Sequence, residues 1–221
     1  MVQIIPVEVS RSVFKNYIYI IGNPDTKSAV IIDPAFEKNK IEDILLKNNF
    51  KLHDVLITHT HMDHIHLVND LAVRYNIPVW VSALEVLPPE FLSLNIRVFE
   101  SDKILEFEDI TIQTIHTPGH TKGSVCYLIN NNLFTGDTMF IEGCGICPSK
   151  ADAAAMFDSF QKIKSIVNSE TRIFPGHCYY AVPGQPISYV MNNNFYYTLD
   201  NPEQFILFRM RKNKPPWSNF K

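Results

Sequence analysis

The residues best suited to chemistry lie in one short stretch, where three histidines and an aspartate occupy six positions, His59-Thr60-His61-Met62-Asp63-His64. Imidazole and carboxylate groups are ligands that Zn²⁺ and similar divalent ions prefer. So many titratable groups on one turn are costly unless a cation offsets them. The pattern therefore predicts a metal site in preference to a chance cluster on a solvated turn.

Two more histidines and a second aspartate also follow strand-like segments. His120 and His177 each end a Pro-Gly-His triplet, and Asp137 comes directly after Gly136. Each lies just beyond a short apolar run that is typical of a buried strand. Proline restricts the backbone at such turns and glycine permits unusual dihedral angles. These residues strengthen the prediction of a metal site at the ends of strands.

The elements that must position these residues alternate between strands and helices. Val55–Ile57 is predicted to be a buried strand ending at Thr58, and helical spacing of apolar residues begins at Leu67 and continues to Tyr75. The cluster therefore lies at the carboxyl end of a strand, where open sheets place their sites. Further helices are predicted at Asn39–Lys47, Ala151–Val167 and Glu203–Arg211. Further strands are predicted near Gln3–Val9, Phe14–Ile21, Ala29–Asp33, Val79–Val81, Val98–Phe99, Ile110–Ile115, Ser124–Ile129, Leu133–Phe134 and Arg172–Phe174.

Composition limits the protein class. With 221 residues and 46% hydrophobic content, the chain can bury a substantial core, and we expect one domain over residues 1–221. A formal net charge of −3 gives no reason to expect nucleic-acid binding. We expect a cytoplasmic protein without membrane contact, because the first residues lack a basic, signal-like segment and no uncharged stretch could span a bilayer.

The 4 cysteines are compatible with a cytoplasmic protein. Cys144 and Cys147 form a C-x-x-C pair, which could indicate a redox site or half of a structural zinc site. No second pair or nearby histidine pair completes such a site. Cys126 and Cys178 are interpreted as packing residues.

The histidine and aspartate motifs, taken together over Tyr17 to His177, resemble the metallo-β-lactamase superfamily and, within it, glyoxalase II-like hydrolases. The resemblance implies an α/β fold, an αββα sandwich of the metallo-β-lactamase type. It implies two divalent metal ions, with zinc favoured. By position, it assigns the first ion to His59, His61 and His120, the second to Asp63, His64 and His177, and the bridging role to Asp137.

This ligand set implies metal-dependent hydrolysis. Bound divalent ions lower the pKa of water towards neutrality and polarise a carbonyl, so no side-chain nucleophile is required. Asp63 is predicted to act catalytically as well, by orienting the attacking hydroxide. Glyoxalase II also has a C-terminal helical domain and basic residues that bind glutathione. Too few residues follow His177 for that domain, and the loop from Gly143 to Pro148 has no adjacent basic residue before Lys150.

A narrower resemblance accounts for these departures. The stretch from Thr58 to Leu67, the Gly-Cys-Gly-Ile-Cys loop and the segment from Phe208 to Asn213 resemble zinc-dependent hydrolases of trans-acyltransferase polyketide pathways. That similarity implies a thioesterase that releases acyl groups from acyl carrier proteins. The alternatives are a glyoxalase II-like hydrolase of small thioesters, an iron-dependent sulfur dioxygenase and a non-enzymatic metal-binding module.

Four further residues are candidates for contacts with a substrate or partner. His66 stands where most relatives carry glycine, so its side chain either supports the site, contacts substrate or points outward at the start of a helix. Arg209, Arg211 and Lys212 belong to a basic segment that continues to Lys221 without an acidic residue. This segment either contacts an acidic carrier protein or is a solvated tail.

Overall fold

The computed structural model describes residues 2–12, 14–100, 102–107 and 109–212. The first of two sheets has the order β1-β2-β3-β4-β5-β6, with β1 Gln3–Arg11, β2 Phe14–Gly22, β3 Ser28–Ile32, β4 Lys51–Leu56, β5 Val79–Ser82 and β6 Ile96–Phe99. Neighbouring strands from β1 to β3 are antiparallel, and those from β3 to β6 are parallel. The parallel strands bring their carboxyl ends to one edge.

The second sheet is mostly antiparallel. Its strands are β7 Ile104–Phe107, β8 Ile110–His116, β9 Val125–Ile129, β10 Asn132–Gly136, β11 Arg172–Pro175 and β12 Gln185–Pro186, in the order β12-β11-β10-β9-β8-β7. Only the β10–β11 pair is parallel among those described. This pair places the residues after Gly136 and after Pro175 side by side.

Helices cover the outer faces of both sheets. They are α1 Lys38–Asn48, α2 Met62–Ile65, α3 Val68–Tyr75, α4 Lys150–Ile166, α5 Ile187–Asn193, α6 Phe195–Thr198 and α7 Pro202–Arg209, with a 3₁₀ helix at Pro89–Ser93. Helices α1 and α3 share a hydrophobic cluster with the first sheet. Helices α4 to α7 share another with the second sheet. Within the described ranges, no helix is both long enough and apolar enough to cross a membrane.

The side chains of β2 show how the layers are built. Ile18 and Ile20 pack into the cluster under α1 and α3, whereas Tyr19 and Ile21 pack into a third cluster between the two sheets. Successive side chains of a strand point to opposite faces, so this strand is buried on both sides. The layer order is therefore helix, sheet, sheet, helix, and the predicted αββα architecture is confirmed.

The predicted elements are present, with bounds that differ by a few residues. The last helix ends at Arg209 rather than Arg211, and begins at Pro202 after Asn201, whose side chain accepts a hydrogen bond from the Gln204 amide at 3.0 Å. The sequence patterns did not predict the short elements α2, β7 and β12, nor the helices α5 and α6. Their segment is rich in asparagine and aromatic residues, which are poor helix formers. It becomes helical because Val190 and Tyr196 are buried against the second sheet's helical layer.

Candidate metal centre

Three predicted ligands meet where loops from the two sheets approach each other. His59 and His61 follow β4, and His120 follows β8. The Nδ1 atom of His61 lies 3.2 Å from Nε2 of His59 and 2.8 Å from Nε2 of His120. These three nitrogens lie close enough together to hold one metal ion. We refer to this set as the first trio.

The His120 and His59 rings each make a hydrogen bond through the nitrogen that faces away from His61. These hydrogen bonds determine which ring nitrogen carries the proton. His120 Nδ1 lies 2.8 Å from the Ile146 carbonyl oxygen, which can only accept, so Nδ1 carries the proton and Nε2 is left with a lone pair. The Thr58 hydroxyl donates to Asp33, so it accepts from His59 Nδ1 at 3.1 Å. Nε2 of His59 therefore also presents a lone pair. Since His61 Nδ1 can donate to only one of them, a cation would satisfy all three nitrogens better than a proton does.

The second trio consists of Asp63, His64 and His177. Asp63 and His64 lie on α2, and His177 follows β11. The Asp63 carboxylate is 3.7 Å from His64 Nε2 and 3.4 Å from His177 Nε2. The three ligand atoms also form a group able to hold a metal ion.

Asp137 lies between the two trios. Its Oδ2 is 3.4 Å from His120 Nε2, and its Oδ1 is 3.3 Å from His64 Nε2 and 3.5 Å from His177 Nε2. The fold therefore brings all seven predicted ligands together. Asp137 is placed at the junction because β10, which precedes it, is flanked by β11 and β9 in the second sheet.

Buried polar atoms at this junction fit a cation. Nε2 of His64 and Oδ1 of Asp137 are both buried, and neither has a hydrogen-bond partner in the part of the chain that the structure describes. Burial holds the pKa of His59 well below its usual range, which keeps the ring neutral as a metal ligand requires. Burial alone would raise the pKa of Asp137, but the His177 and His64 rings outweigh it and keep this carboxyl ionised. The donor set of imidazoles and carboxylates is one that zinc accepts.

Asp33 supports both trios and was not predicted. It follows β3, is 2% exposed, and its Oδ1 accepts the Thr58 amide at 2.7 Å. Its Oδ2 accepts the Thr58 hydroxyl at 2.6 Å and lies 3.0 Å from His64 Nδ1. This carboxylate thus fixes the His64 tautomer and, through Thr58, the orientation of His59. The sequence signal was an aspartate directly after a buried strand.

Asn16 and Glu85 also hold the site in place without having been predicted. The buried Asn16 amide donates to the backbone oxygen of Asp63 at 2.9 Å and to its carboxylate at 3.1 Å. Glu85 accepts the Thr60 amide at 2.9 Å and the Gly123 amide at 3.1 Å. It therefore joins the loop that carries His59 and His61 to the loop that follows His120.

The loop from Gly143 to Pro148 forms a wall of the site. The Gly145 amide donates to the Asp137 backbone oxygen at 2.8 Å, and a Cβ atom added at Gly145 would lie only 2.2 Å from that oxygen. Glycine is therefore required for the close approach. Cys144 and Cys147 are buried in the adjacent hydrophobic cluster. In the described ranges, neither belongs to a group of ligands that could hold a metal.

A cleft of about 750 Å³ opens onto both trios. Its volume lies within the range of small-molecule sites. Its lining residues are Lys15, His61, Asp63, His120, Asp137, Ile146, Pro148, His177, Cys178 and Tyr179. A substrate entering this cleft would meet the candidate metal centre at its base.

The structure places the four candidate contact residues in different surroundings. His66 lies beside the site, where Nε2 is 2.6 Å from Arg11 Nη1 and the ring is 5.4 Å from that of Phe36. Arg209 is only 2% exposed and lies 5.9 Å from the Tyr196 ring, so its predicted direct contact with a carrier protein is wrong.

The two basic residues that follow are less buried than Arg209. Arg211 packs over the Phe208 ring at 3.7 Å, and Lys212 is exposed. Lys214 and Lys221, the rest of the predicted basic segment, lie outside the described residues.

Comparison with known proteins agrees with this arrangement. The probable polyketide biosynthesis zinc-dependent hydrolase BaeB of Bacillus velezensis is 37% identical over 216 residues, 97% of this chain and 96% of that protein. Hydroxyacylglutathione hydrolase of Shewanella halifaxensis is 31% identical over 183 residues, 81% of this chain and 67% of that protein. The crystal structure of ETHE1 from Myxococcus xanthus matches with a TM-score of 0.82 at 26% identity, covering 97% of this chain and 93% of that one.

The family match covers most of the chain. The chain matches the family described as the Metallo-beta-lactamase superfamily over residues 11–177. That interval includes every strand-end loop that carries one of the seven converging side chains. The chain therefore belongs to the metallo-β-lactamase superfamily.

Proposed function

We propose that this chain is a dinuclear metal-dependent thioesterase that releases acyl groups from acyl carrier proteins in polyketide biosynthesis. The observation that carries the proposal is the position of Asp137, whose two carboxylate oxygens face nitrogens of different trios at 3.3 to 3.5 Å. Such a shared carboxylate suits two ions better than one.

The reaction is the hydrolysis of a thioester. The oxygen of water forms a bond to the carbonyl carbon, the carbon–sulfur bond breaks, and the products are a carboxylic acid and a thiol. The two trios and Asp137 would hold divalent ions, which would lower the pKa of a water and polarise the carbonyl. Asp63, held by Asn16, accepts a hydrogen bond from the attacking water and orients it.

The relatives support the assignment of the proposed hydrolase to polyketide biosynthesis. Similarity to BaeB extends over nearly the whole of both chains, and that protein's name places it in polyketide biosynthesis. Similarity to hydroxyacylglutathione hydrolase covers two thirds of that enzyme. A glyoxalase II-like hydrolase of small thioesters is therefore the second candidate.

The test is a panel of acylated carrier proteins and matching free thioesters, incubated with the protein as purified and followed by mass spectrometry. Loss of the acyl group from carrier proteins at a higher kcat/KM than from free thioesters supports the first candidate. Faster hydrolysis of acylglutathione would favour the second. One iron per chain with oxygen consumption on a persulfide would instead indicate a sulfur dioxygenase. Metal analysis on the same sample shows whether two ions are bound.

A further inference from the structure

The walls of the cleft above the candidate metal centre are mostly uncharged. Besides the predicted metal ligands, the described residues that line it are Lys15, Ile146, Pro148, Cys178 and Tyr179. The Ile146 side chain is 49% exposed and that of Tyr179 is 38% exposed, so both present apolar surface to a substrate that enters. Lys15 is the only lysine or arginine among these described lining residues. The cleft therefore offers few partners for an anionic arm of a substrate.

Lys15 is already paired with a carboxylate. Its Nζ atom lies 2.9 Å from Oε1 of Glu8, and Oε2 of Glu8 accepts a hydrogen bond from the Tyr17 hydroxyl at 2.9 Å. Tyr17 thereby holds the carboxylate beside Lys15. An exposed ion pair of this kind adds little stability, but its net charge is zero. Most of the attraction that Lys15 would exert on a second anion is therefore removed.

Ile146 lies where a cation in the cleft wall would be nearest to the candidate metal centre. Its backbone oxygen is 2.8 Å from Nδ1 of His120, so this residue is one hydrogen bond away from the first trio. Its side chain lines the cleft. An isoleucine here offers an apolar contact and no hydrogen-bond donor to a carboxylate.

Two kinds of thiol arm differ in what they require from such walls. Glutathione has two carboxylates several bonds from its sulfur, so these groups would meet the cleft walls rather than the ligands at the base. A carboxylate that loses water without gaining a cation or donor is strongly disfavoured. Pantetheine is uncharged, and its dimethyl group can pack against apolar side chains.

We propose that the cleft selects thioesters with an uncharged, pantetheine-like thiol arm, and that Ile146 and the Lys15–Glu8 pair determine this selection. Ile146 provides apolar contact where a cation would attract an anionic arm. Glu8 neutralises the one lysine that lines the cleft among the described residues. This inference rests on the proposed thioesterase function and adds the class of thiol arm and the residues that select it.

The test compares S-acetylpantetheine with S-acetylglutathione, which share the acyl group and differ in the charge of the thiol arm. The wild type should hydrolyse the pantetheine compound with the higher kcat/KM. Ile146→Lys should raise kcat/KM for S-acetylglutathione about tenfold, the size expected for one charge-assisted hydrogen bond, and so shift the ratio of the two values towards glutathione. Glu8→Gln removes the charge that neutralises Lys15 and should shift the ratio in the same direction.

Two control variants separate charge in the cleft from other effects. Ile146→Met changes the side chain without adding charge and should keep the wild-type ratio. Val98→Lys adds the same charge on β6, where the side chain is 62% exposed and does not line the cleft, and should leave both kcat/KM values unchanged. The proposal would be overturned by a wild type that hydrolyses S-acetylglutathione at least as well as S-acetylpantetheine, or by a wild-type ratio in either Ile146→Lys or Glu8→Gln.

Calorimetric titration with S-methylpantetheine and S-methylglutathione tests the same selection without hydrolysis. Tighter binding of the pantetheine compound by the wild type, with the preference reduced in Ile146→Lys, supports the proposal even if thioesters prove not to be substrates. Equal binding of both compounds by the wild type would overturn it. Selective binding without hydrolysis of either thioester would overturn only the proposed function.

Discussion

Replacing Asp33 with asparagine tests whether this buried carboxylate organises the metal centre. Asp33 receives three hydrogen bonds, at 2.6 to 3.0 Å, from the Thr58 amide, the Thr58 hydroxyl and His64 Nδ1. A carboxamide of the same shape has one acceptor oxygen and one NH₂ group. In either orientation, at least one of the three donors then faces another donor.

The size of the expected loss of stability in Asp33→Asn follows from the burial of these groups. A buried donor without an acceptor costs about 1–3 kcal/mol, so the free energy of unfolding of metal-free Asp33→Asn should fall by at least that amount. Loss of the hydrogen bond that orients a metal-binding histidine typically weakens metal affinity by about 10–100-fold. The site that includes His64 should be affected first. His59 is linked to Asp33 only through Thr58 and should be affected less.

The assays are urea unfolding of the metal-free protein and zinc titration against a competing chelator. Asp200→Asn is the control, because the Asp200 side chain is 85% exposed and pairs with Lys164 at the surface. We expect this control to stay within about 0.5 kcal/mol of the wild type. Wild-type zinc affinity in Asp33→Asn would show that His64 does not depend on this carboxylate, and the reasoning would fail.

The remaining predictions concern the metals, the substrate and the partner. Asp137→Ala, like treatment with a chelator, should remove nearly all hydrolysis, because this carboxylate faces both trios; retained activity in a metal-free sample would contradict it. Asn16→Ala should lower kcat about tenfold without unfolding the chain, since its amide holds Asp63 at 3.1 Å; an unchanged kcat, with circular dichroism as the check on folding, would exclude this role. Thioesters should be hydrolysed far faster than β-lactams in parallel assays, and efficient β-lactam turnover would overturn the substrate class. Neutralising Arg211 and Lys212, or adding salt, should slow hydrolysis of carrier-bound but not of free thioesters, and equal loss on both would refute docking. Substitution of the buried Arg209 should instead lower the melting temperature, and an unchanged melting temperature would contradict this prediction.

The strands of the first sheet show how far pattern alone could go. Apolar runs in β2 and β3 predicted that these segments are strands. The runs could not show that Ile20 faces the helices while Tyr19 faces the second sheet. That choice depends on which elements pack against each face, and it appears only when the layers assemble.

The C-terminal segment shows where a reading of charge was wrong. Arg209, Arg211 and Lys212 form one basic cluster in the sequence. In the fold, α7 packs on α4 and turns Arg209 inward against Tyr196, so the three side chains do not share one surface. Long arginine stems pack well against aromatic rings, and their burial cannot be predicted from neighbouring charge.

The sequence by itself determined which types of side chain form the candidate metal centre, because residue type and the spacing of strand-end motifs are local properties. The histidine and aspartate motifs at the ends of predicted strands carried the resemblance to the superfamily, and that resemblance implied the fold and the seven side chains that converge. Only the tertiary structure decided how those side chains are held. Asp33 lies 31 positions from His64, and Asn16 lies 47 positions from Asp63. Hydrogen bonds between such distant positions exist only once the sheets are paired, so no local pattern could have predicted them.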